Sequence, residues 1–542
     1  MWAASELTGA TPYWLLDLDG TRWRFADDVL TVDDANGSTW SYASGLDAMV
    51  LEHAPTEGDV AIRVVVRSGE DWPLHAAQGY HLEGRTAVLR RWWSGLELER
   101  ARVHIAGLIE GVVMADPSAP NTITFSIKRT SSRDAEIVPA ATQVVDDSTW
   151  PIEALYTIQE STKGSFYPVI IGAPGGSNIS DLLPNPVPTT PALYAEVLSL
   201  GSKYVVAGHR VQATNVYFYN MDNSATLGAS AQVIQSEDLL GQPVAYVQNI
   251  SPVALQGVDG ERFFVGWRDD ASYGGGLIGE DGGLLRGAGD VISYLLQRYC
   301  PKVKVNNSQM EAHKAYLNVF FLDCMINSPV SMWDFVAQII KVLPVRLVTD
   351  DGGLWLQPWR TTATTSDVAA WLEAGRNVDR VSPAKQRRAT IYNQIVVQYQ
   401  PIQQTGKYRK TVMISAEDGV LKQGPSHVLD TRVHGDYRCS LSQALYGVRE
   451  MTLNLPWIWD DSTALGLARE QVGASALTKR GIEYVGSLEL ERLRPGDIVA
   501  LTDADLHLTD VLCRVETLVV GGPQVGLDLT LLDDPSLASQ AT

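Results

Sequence analysis

Trp14-Leu15-Leu16-Asp17-Leu18-Asp19-Gly20-Thr21-Arg22-Trp23-Arg24-Phe25 is the stretch on which the fold turns. Trp14, Leu16 and Leu18 alternate up to Asp19-Gly20, and Thr21, Trp23 and Phe25 alternate away from it. A period of two puts each set on one face of a strand, and Asp-Gly tolerates the positive φ of a tight turn. The stretch therefore predicts an antiparallel hairpin. Working outward, Asn36-Gly37 predicts a second turn, and strands are expected over 60–66, 86–93, 96–105 and 122–127. No long helical period interrupts residues 1–145.

Residues 146–285 read as further strands, cut by Pro- and Gly-rich stretches at 168–191 and 266–289. From Asp290 the period changes. Asp290 predicts the cap of a helix through Arg298, and Ser331 with Asp334 resembles a capping box. Trp333, Val336, Ile340 and Leu343 then fall on one helical face, stopped by Pro344. Asp350-Asp351-Gly352-Gly353 predicts a hairpin, and residues 367–374 a short helix ended by Gly375. After 386 the chain is strand-rich again. One long helix is expected over 463–479, capped by Asp461 or Ser462, with strands over 482–493, 497–502, 511–520 and 524–532. The expected fold class is mainly β with α+β parts, in several domains.

Composition narrows the function. The chain has 542 residues, 45% of them hydrophobic, which is material for several cores. The formal net charge of −20 argues against a protein that grips nucleic-acid phosphates, because that grip needs Lys and Arg. No run approaches 18 uncharged apolar residues, so no membrane-spanning helix is expected. The start, Met1-Trp2-Ala3-Ala4-Ser5-Glu6, predicts no signal peptide. Cys300, Cys324, Cys439 and Cys513 lie far apart with no metal-ligand spacing and read as buried thiols.

Several sets of residues invite a chemical reading. Asp17-Leu18-Asp19-Gly20-Thr21 matches the first motif of haloacid-dehalogenase-type phosphatases, where one Asp attacks phosphorus and the second serves as acid or base beside Mg²⁺. That chemistry also needs a parallel sheet with crossover helices, which residues 1–145 do not predict, and Gly496-Asp497 lacks a second Asp at the usual spacing. The glycines from Gly274 to Gly289 lack the Gly-Lys-Ser/Thr ending of a phosphate loop and read as a flexible loop. His427 and His434, near Asp430 and Asp436, form a conceivable acid/base or metal set, and a glycosidase carboxylate pair depends on a spatial separation that sequence does not supply. Trp92, Trp355 and Trp457 could stack on sugars in a carbohydrate-binding receptor protein, and read better as core or interface residues. None of these sets is assigned a catalytic, cofactor or metal role.

The order of features resembles the tail hub (tail tip or baseplate hub) proteins of long-tailed bacteriophages. Val88-Leu89-Arg90-Arg91-Trp92-Trp93-Ser94-Gly95, Val103-His104-Ile105-Ala106-Gly107 and Ile123-Thr124-Phe125-Ser126-Ile127 are similar to the first hub domain. Tyr167-Pro168-Val169-Ile170-Ile171-Gly172 and Tyr204-Val205-Val206-Ala207-Gly208-His209 are similar to the next. Gly287-Ala288-Gly289-Asp290-Val291-Ile292, Trp333 and Leu343-Pro344-Val345 look like the α/β domain, and Tyr392-Asn393 with Arg494-Pro495-Gly496-Asp497-Ile498-Val499 like the final barrel.

The resemblance implies a tube-like β domain over 1–145, a β-rich insertion over 146–285, an α/β domain over 286–385 and a second tube-like β-barrel domain over 386–542. It implies a homotrimer whose six tube-like domains continue the tail tube. Its partners would be the distal tail protein or tail tube, the tape measure protein, and a central fibre or needle protein. The place would be the virion tail tip, assembled in the host cytoplasm, serving host attachment and genome ejection. DNA would cross the lumen without specific binding, and an acidic inner wall would suit that passage by repelling it. No catalytic residue, cofactor, metal or membrane span comes with the resemblance.

Overall fold

A computed structural model describes residues 11–52, 60–114, 121–129, 135–140, 142–146, 156–158, 162–175, 190–191, 193–197, 201–212, 215–220, 230–239, 242–248, 263–267, 284–350, 353–387, 390–402, 406–421, 430–521 and 524–532. The protein is mainly β and built of several sheets. Its largest sheet has sixteen strands. Nine come from the first part of the chain: β1 Pro12–Leu18, β2 Trp23–Ala26, β3 Leu30–Asp33, β4 Thr39–Ser44, β5 Leu46–Glu52, β6 Val60–Arg67, β7 Thr86–Trp93, β8 Arg102–Met114 and β9 Thr122–Arg129. Seven come from the last: β10 Val368–Glu373, β11 Val378–Arg380, β12 Lys385–Gln386, β13 Arg480–Ser487, β14 Ile498–Asp503, β15 Leu508–Gly521 and β16 Gln524–Leu531.

The two groups form one sheet. Its main path runs β11-β13-β16-β15-β5-β6-β9-β8-β7-β1-β2-β4-β3. The crossing lies between β15 and β5, where Val519 faces Glu52 and Val520 faces Leu51 in antiparallel register. The apolar face is equally continuous. Leu16, Leu18, Val64, Leu89, Ile109 and Phe125 from the first group share a core with Leu372, Ile482, Leu501, Val515, Val520 and Leu529 from the last.

Between these groups in sequence lie an eight-stranded sheet, from Tyr156–Ile158 to Phe263–Gly266, and a helical centre. The centre contains α2 Ala288–Tyr299, α3 Asn307–Leu317 and α4 Met332–Ile340, after the short α1 Trp72–Ala77 of the first group. A hairpin of Val345–Asp350 with Gly353–Pro358 follows. A mixed five-stranded sheet comes next, with α5 Tyr437–Tyr446 and α6 Asp461–Ser475. The helical centre and this sheet share one core, which contains Val291, Leu295, Val336, Leu354, Ile395, Val397, Leu467 and Val472. No helix among the described residues is long and apolar enough to cross a membrane.

The hairpin read from Trp14 to Phe25 forms as expected: β1 pairs antiparallel with β2, and Asp19 and Gly20 turn at φ 50° and 71°. Other local readings are corrected. Residues 368–373 form a strand, because Ala370 and Leu372 turn inward at period two and the segment pairs in parallel with β14. Its Ala and Glu residues favour a helix, and the neighbouring strand overrides them. The strand expected from Leu96 starts only at Arg102, after a 3₁₀ turn over Leu98–Arg100. The strand expected over 482–493 ends at Ser487, opposite Gln524, and turns into a 3₁₀ segment, Leu488–Arg492.

Helix caps also shift. α2 starts at Ala288 with Gly287 as cap, and Asp290 instead pairs with Asn318. Ser331 caps α4 without a side-chain hydrogen bond, and Asp460 caps α6, which ends at Ser475.

One glycine is fixed by its surroundings. Gly45 joins β4 to β5 at φ 138°, donates to Ala26 O and accepts from Arg67 N. A Cβ there would land on the Arg67 carbonyl. Gly45→Ala should therefore destabilise the protein by about 2–4 kcal/mol, from clash and strained φ together. Urea denaturation checks it; an unchanged midpoint would mean that β4 and β5 are joined in another way.

Candidate functional site: a buried charged joint between two β groups

The 3₁₀ segment Leu488–Arg492 carries Glu491 from the last part of the chain against β8 of the first. Arg102 Nη1 donates to the Glu491 carbonyl at 3.0 Å and to its Oε1 at 3.2 Å. His104 Nε2 lies 2.8 Å from the same Oε1, with both side chains 1% exposed. The Trp14 ring meets His104 edge-on at 4.8 Å, and the Arg91 guanidinium covers Trp14 at 4.5 Å. Asp27 closes the row, accepting from Trp14 N at 3.0 Å and attracting Arg91 electrostatically.

Burial alone would raise the Glu491 carboxyl, but His104, Arg102 and Arg91 together hold it below its ordinary value. Burial holds His104 below its ordinary value against the pull of Glu491. The joint thus sets the His104 ring and two arginines around one buried carboxylate. A buried charge set of this kind adds little stability as a whole and is costly to break, because each remaining ion is stranded away from water. It fixes the relative position of the two β groups where β5 and β15 pair.

Two further ties hold the last group to the helical centre. The turn Arg494-Pro495-Gly496-Asp497 seats on the central hairpin, with Gln357 Nε2 donating to Asp497 Oδ1 at 3.3 Å. A Cβ on Gly496 would stand 2.5 Å from Gln357 Cγ. Arg514 Nη1 donates to Arg360 O at 2.7 Å, while Arg346 and Arg514 lie 3.9 and 4.3 Å from the Trp359 ring centroid. The eight-stranded sheet is tied through His209: Nε2 accepts from Ile170 N at 2.9 Å, and Nδ1 lies 2.7 Å from Arg210 O. Burial brings the His209 pKa down to about 4.

The residues singled out from sequence fall elsewhere. Asp17 lies buried on β1 between antiparallel neighbours, ion-paired with Arg24 and Arg90. Asp19 sits in the turn and accepts from Tyr80 Oη at 2.6 Å. A phosphatase nucleophile stands at the end of a parallel strand; this motif is a hairpin instead. Trp92 and Trp355 are buried, and half-buried Trp457 packs edge-on against Phe335. Gly287 and Gly289 sit tightly against Asn318, while Gly274 lies outside the described residues. His434 lies on the strand Asp430–Gly435, and His427 is outside the described residues. The four cysteines are buried and free.

Sequence reasoning missed the joint. Its only local signal is Arg102 and His104 at i and i+2, on one face of a strand. Their partner stands nearly four hundred positions away.

The fold and joint define a class: a multi-module β protein whose first and last parts make one wall. No family model matches the sequence, and no curated protein matches it. Among solved structures the chain is similar to a tail protein from Neisseria meningitidis MC58, at 10% identity and TM-score 0.39, covering 95% of this chain and 96% of that one. It is also similar to the 43 kDa tail protein of prophage MuSo2 from Shewanella oneidensis, at 11% identity and TM-score 0.32, covering 97% and 99%. A chain of the native gene transfer agent virion matches at 10% identity and TM-score 0.38, covering 70% and 87%.

Glu491→Ala should cost about 3–5 kcal/mol by stranding Arg102 and Arg91. Acid should act in the same direction. Burial makes His104 harder to protonate in the fold than in the unfolded chain, so stability falls as pH drops below the unfolded-state value of about 6.5. The depressed Glu491 carboxyl adds a loss as pH falls on through its folded-state value. Urea midpoints from pH 7 to pH 4 check this: the wild type should fall more steeply than His104→Phe/Glu491→Leu, and parallel curves would contradict it.

Proposed function

We propose that this chain is a tail hub, a structural virion protein that closes the distal end of a phage tail tube. In this reading it meets the distal tail protein or tail tube, holds the end of the tape measure protein and anchors a central fibre or needle protein. It acts at the virion tail tip after assembly in the host cytoplasm, and it carries out no catalytic step. Three copies side by side present six β groups to the tube, and DNA crosses the opening without specific binding.

The observation that supports the reading best is the joining of the first and last β groups into one wall. A ring built of such walls needs adjacent β groups held at a constant angle. The β5–β15 pairing and the Glu491 joint supply that constraint within a single chain. The order of sequence features supports it as well. The acidic balance of the chain suits a passage for DNA, since like charges repel.

Light scattering on the purified full chain, followed by electron microscopy, tests the proposal. The expected particle has three times the chain mass, or a multiple of it, and a central opening. A monomer at every concentration, together with absence of the chain from purified virion tails, would overturn it.

A further inference from the structure

Asn36 is the one asparagine in this sequence that glycine follows. It stands exposed in the turn between β3 and β4, where Gly37 takes φ 80°. Glycine has no Cβ to shield its backbone nitrogen, so that nitrogen can reach the side-chain carbonyl carbon of the residue before it. The Gly37 N–H gives its proton to a base, the bond from Gly37 N to Asn36 Cγ forms, and the Cγ–Nδ2 bond breaks. The side-chain nitrogen takes up a proton and leaves as ammonia. Water then opens the five-membered imide at either carbonyl, which leaves aspartate or isoaspartate at position 36.

The folded turn holds this reaction back. Attack needs the Asn36–Gly37 peptide to rotate, and in the fold Gly37 N donates to Asp34 O at 3.0 Å. Asp34 N donates in turn to Ser38 O at 2.9 Å. The Asp34 carboxylate grips the rest: Oδ1 accepts from Asn36 N at 2.9 Å and from Ser38 N at 2.8 Å, and Oδ2 accepts from Trp40 Nε1 at 3.0 Å. These donors, Trp40 first, hold the Asp34 carboxyl below its ordinary value. A further hold comes from outside the hairpin, where Glu99 of the 3₁₀ turn Leu98–Arg100 accepts from Ala35 N at 2.9 Å. The reaction therefore waits on local opening of the turn, and its rate follows the open fraction.

The product opposes the closed turn. Aspartate at position 36 adds a negative charge beside Asp33 and Asp34, and isoaspartate also adds a carbon to the backbone of the turn. The hairpin that the turn closes covers a buried charge. Arg24 lies over the Trp40 ring at 3.8 Å, and buried Tyr42 stands beside Asp17, which Arg24 and Arg90 pair.

We infer that Asn36 is a self-modification site, deamidating slowly and irreversibly, and that Asp34 and Glu99 set the pace by holding the turn shut. Conversion loosens the β3–β4 hairpin over Asp17.

Full-length protein kept at mildly alkaline pH, sampled over weeks and read by peptide mass spectrometry with isoaspartate labelling, tests it. Folded wild type should convert Asn36 more slowly than the same chain in urea. Asp34→Ala should speed conversion in the folded protein about tenfold, by removing three acceptor contacts from the turn. Glu99→Ala, an exchange at an exposed side chain, should act in the same direction by a smaller factor. In urea the three chains should react alike, and the converted wild type should be cut by protease within residues 34–38 faster than fresh protein. An Asn36 that stays intact in urea would overturn the site. Equal rates for folded and unfolded wild type, or a folded Glu99→Ala no faster than wild type, would overturn the hold. An unchanged cleavage rate after conversion would overturn the loosening.

Discussion

The carboxylate of Glu491 sits where two distant parts of the chain must agree. It is buried, it is ionised, and Arg102 and His104 reach it from the other β group. A charge in such a place leaves little freedom: the groups that solvate it must stay within hydrogen-bond distance, so the elements carrying them keep one arrangement. The pairing of β5 with β15 is the backbone side of the same constraint, because a slip by one residue would turn the shared core outward. The large wall depends on both.

The other modules hang on this wall through smaller ties of the same kind. The Arg494–Asp497 turn docks on the central hairpin through Gln357, and Trp359 lies against two arginines. The eight-stranded sheet leans on His209, whose ring bonds need the neutral tautomer. Buried polar groups at these seams specify position more than they add stability, since apolar contact alone would tolerate sliding.

Much of the β architecture was legible along the chain. Alternation from Trp14 to Phe25, the Asp-Gly turn and the Asp350–Gly353 hairpin need only local sterics, and they stand where they were read. The misread elements share a cause. Residues 368–373 carry helix-favouring side chains and form a strand because β14 lies beside them. The 3₁₀ segment holding Glu491 continues the alternating pattern of the strand before it and so looks like uninterrupted strand.

The sequence by itself therefore determined the fold class, the Asp19-Gly20 turn and most of the described strands, because periodicity and turn chemistry act over a few residues. Only the tertiary structure decided that the first and last β groups share one sheet and that His104 meets Glu491. Those facts rest on contacts between residues far apart in the chain, and a local pattern carries no record of which distant strand or carboxylate will lie beside it.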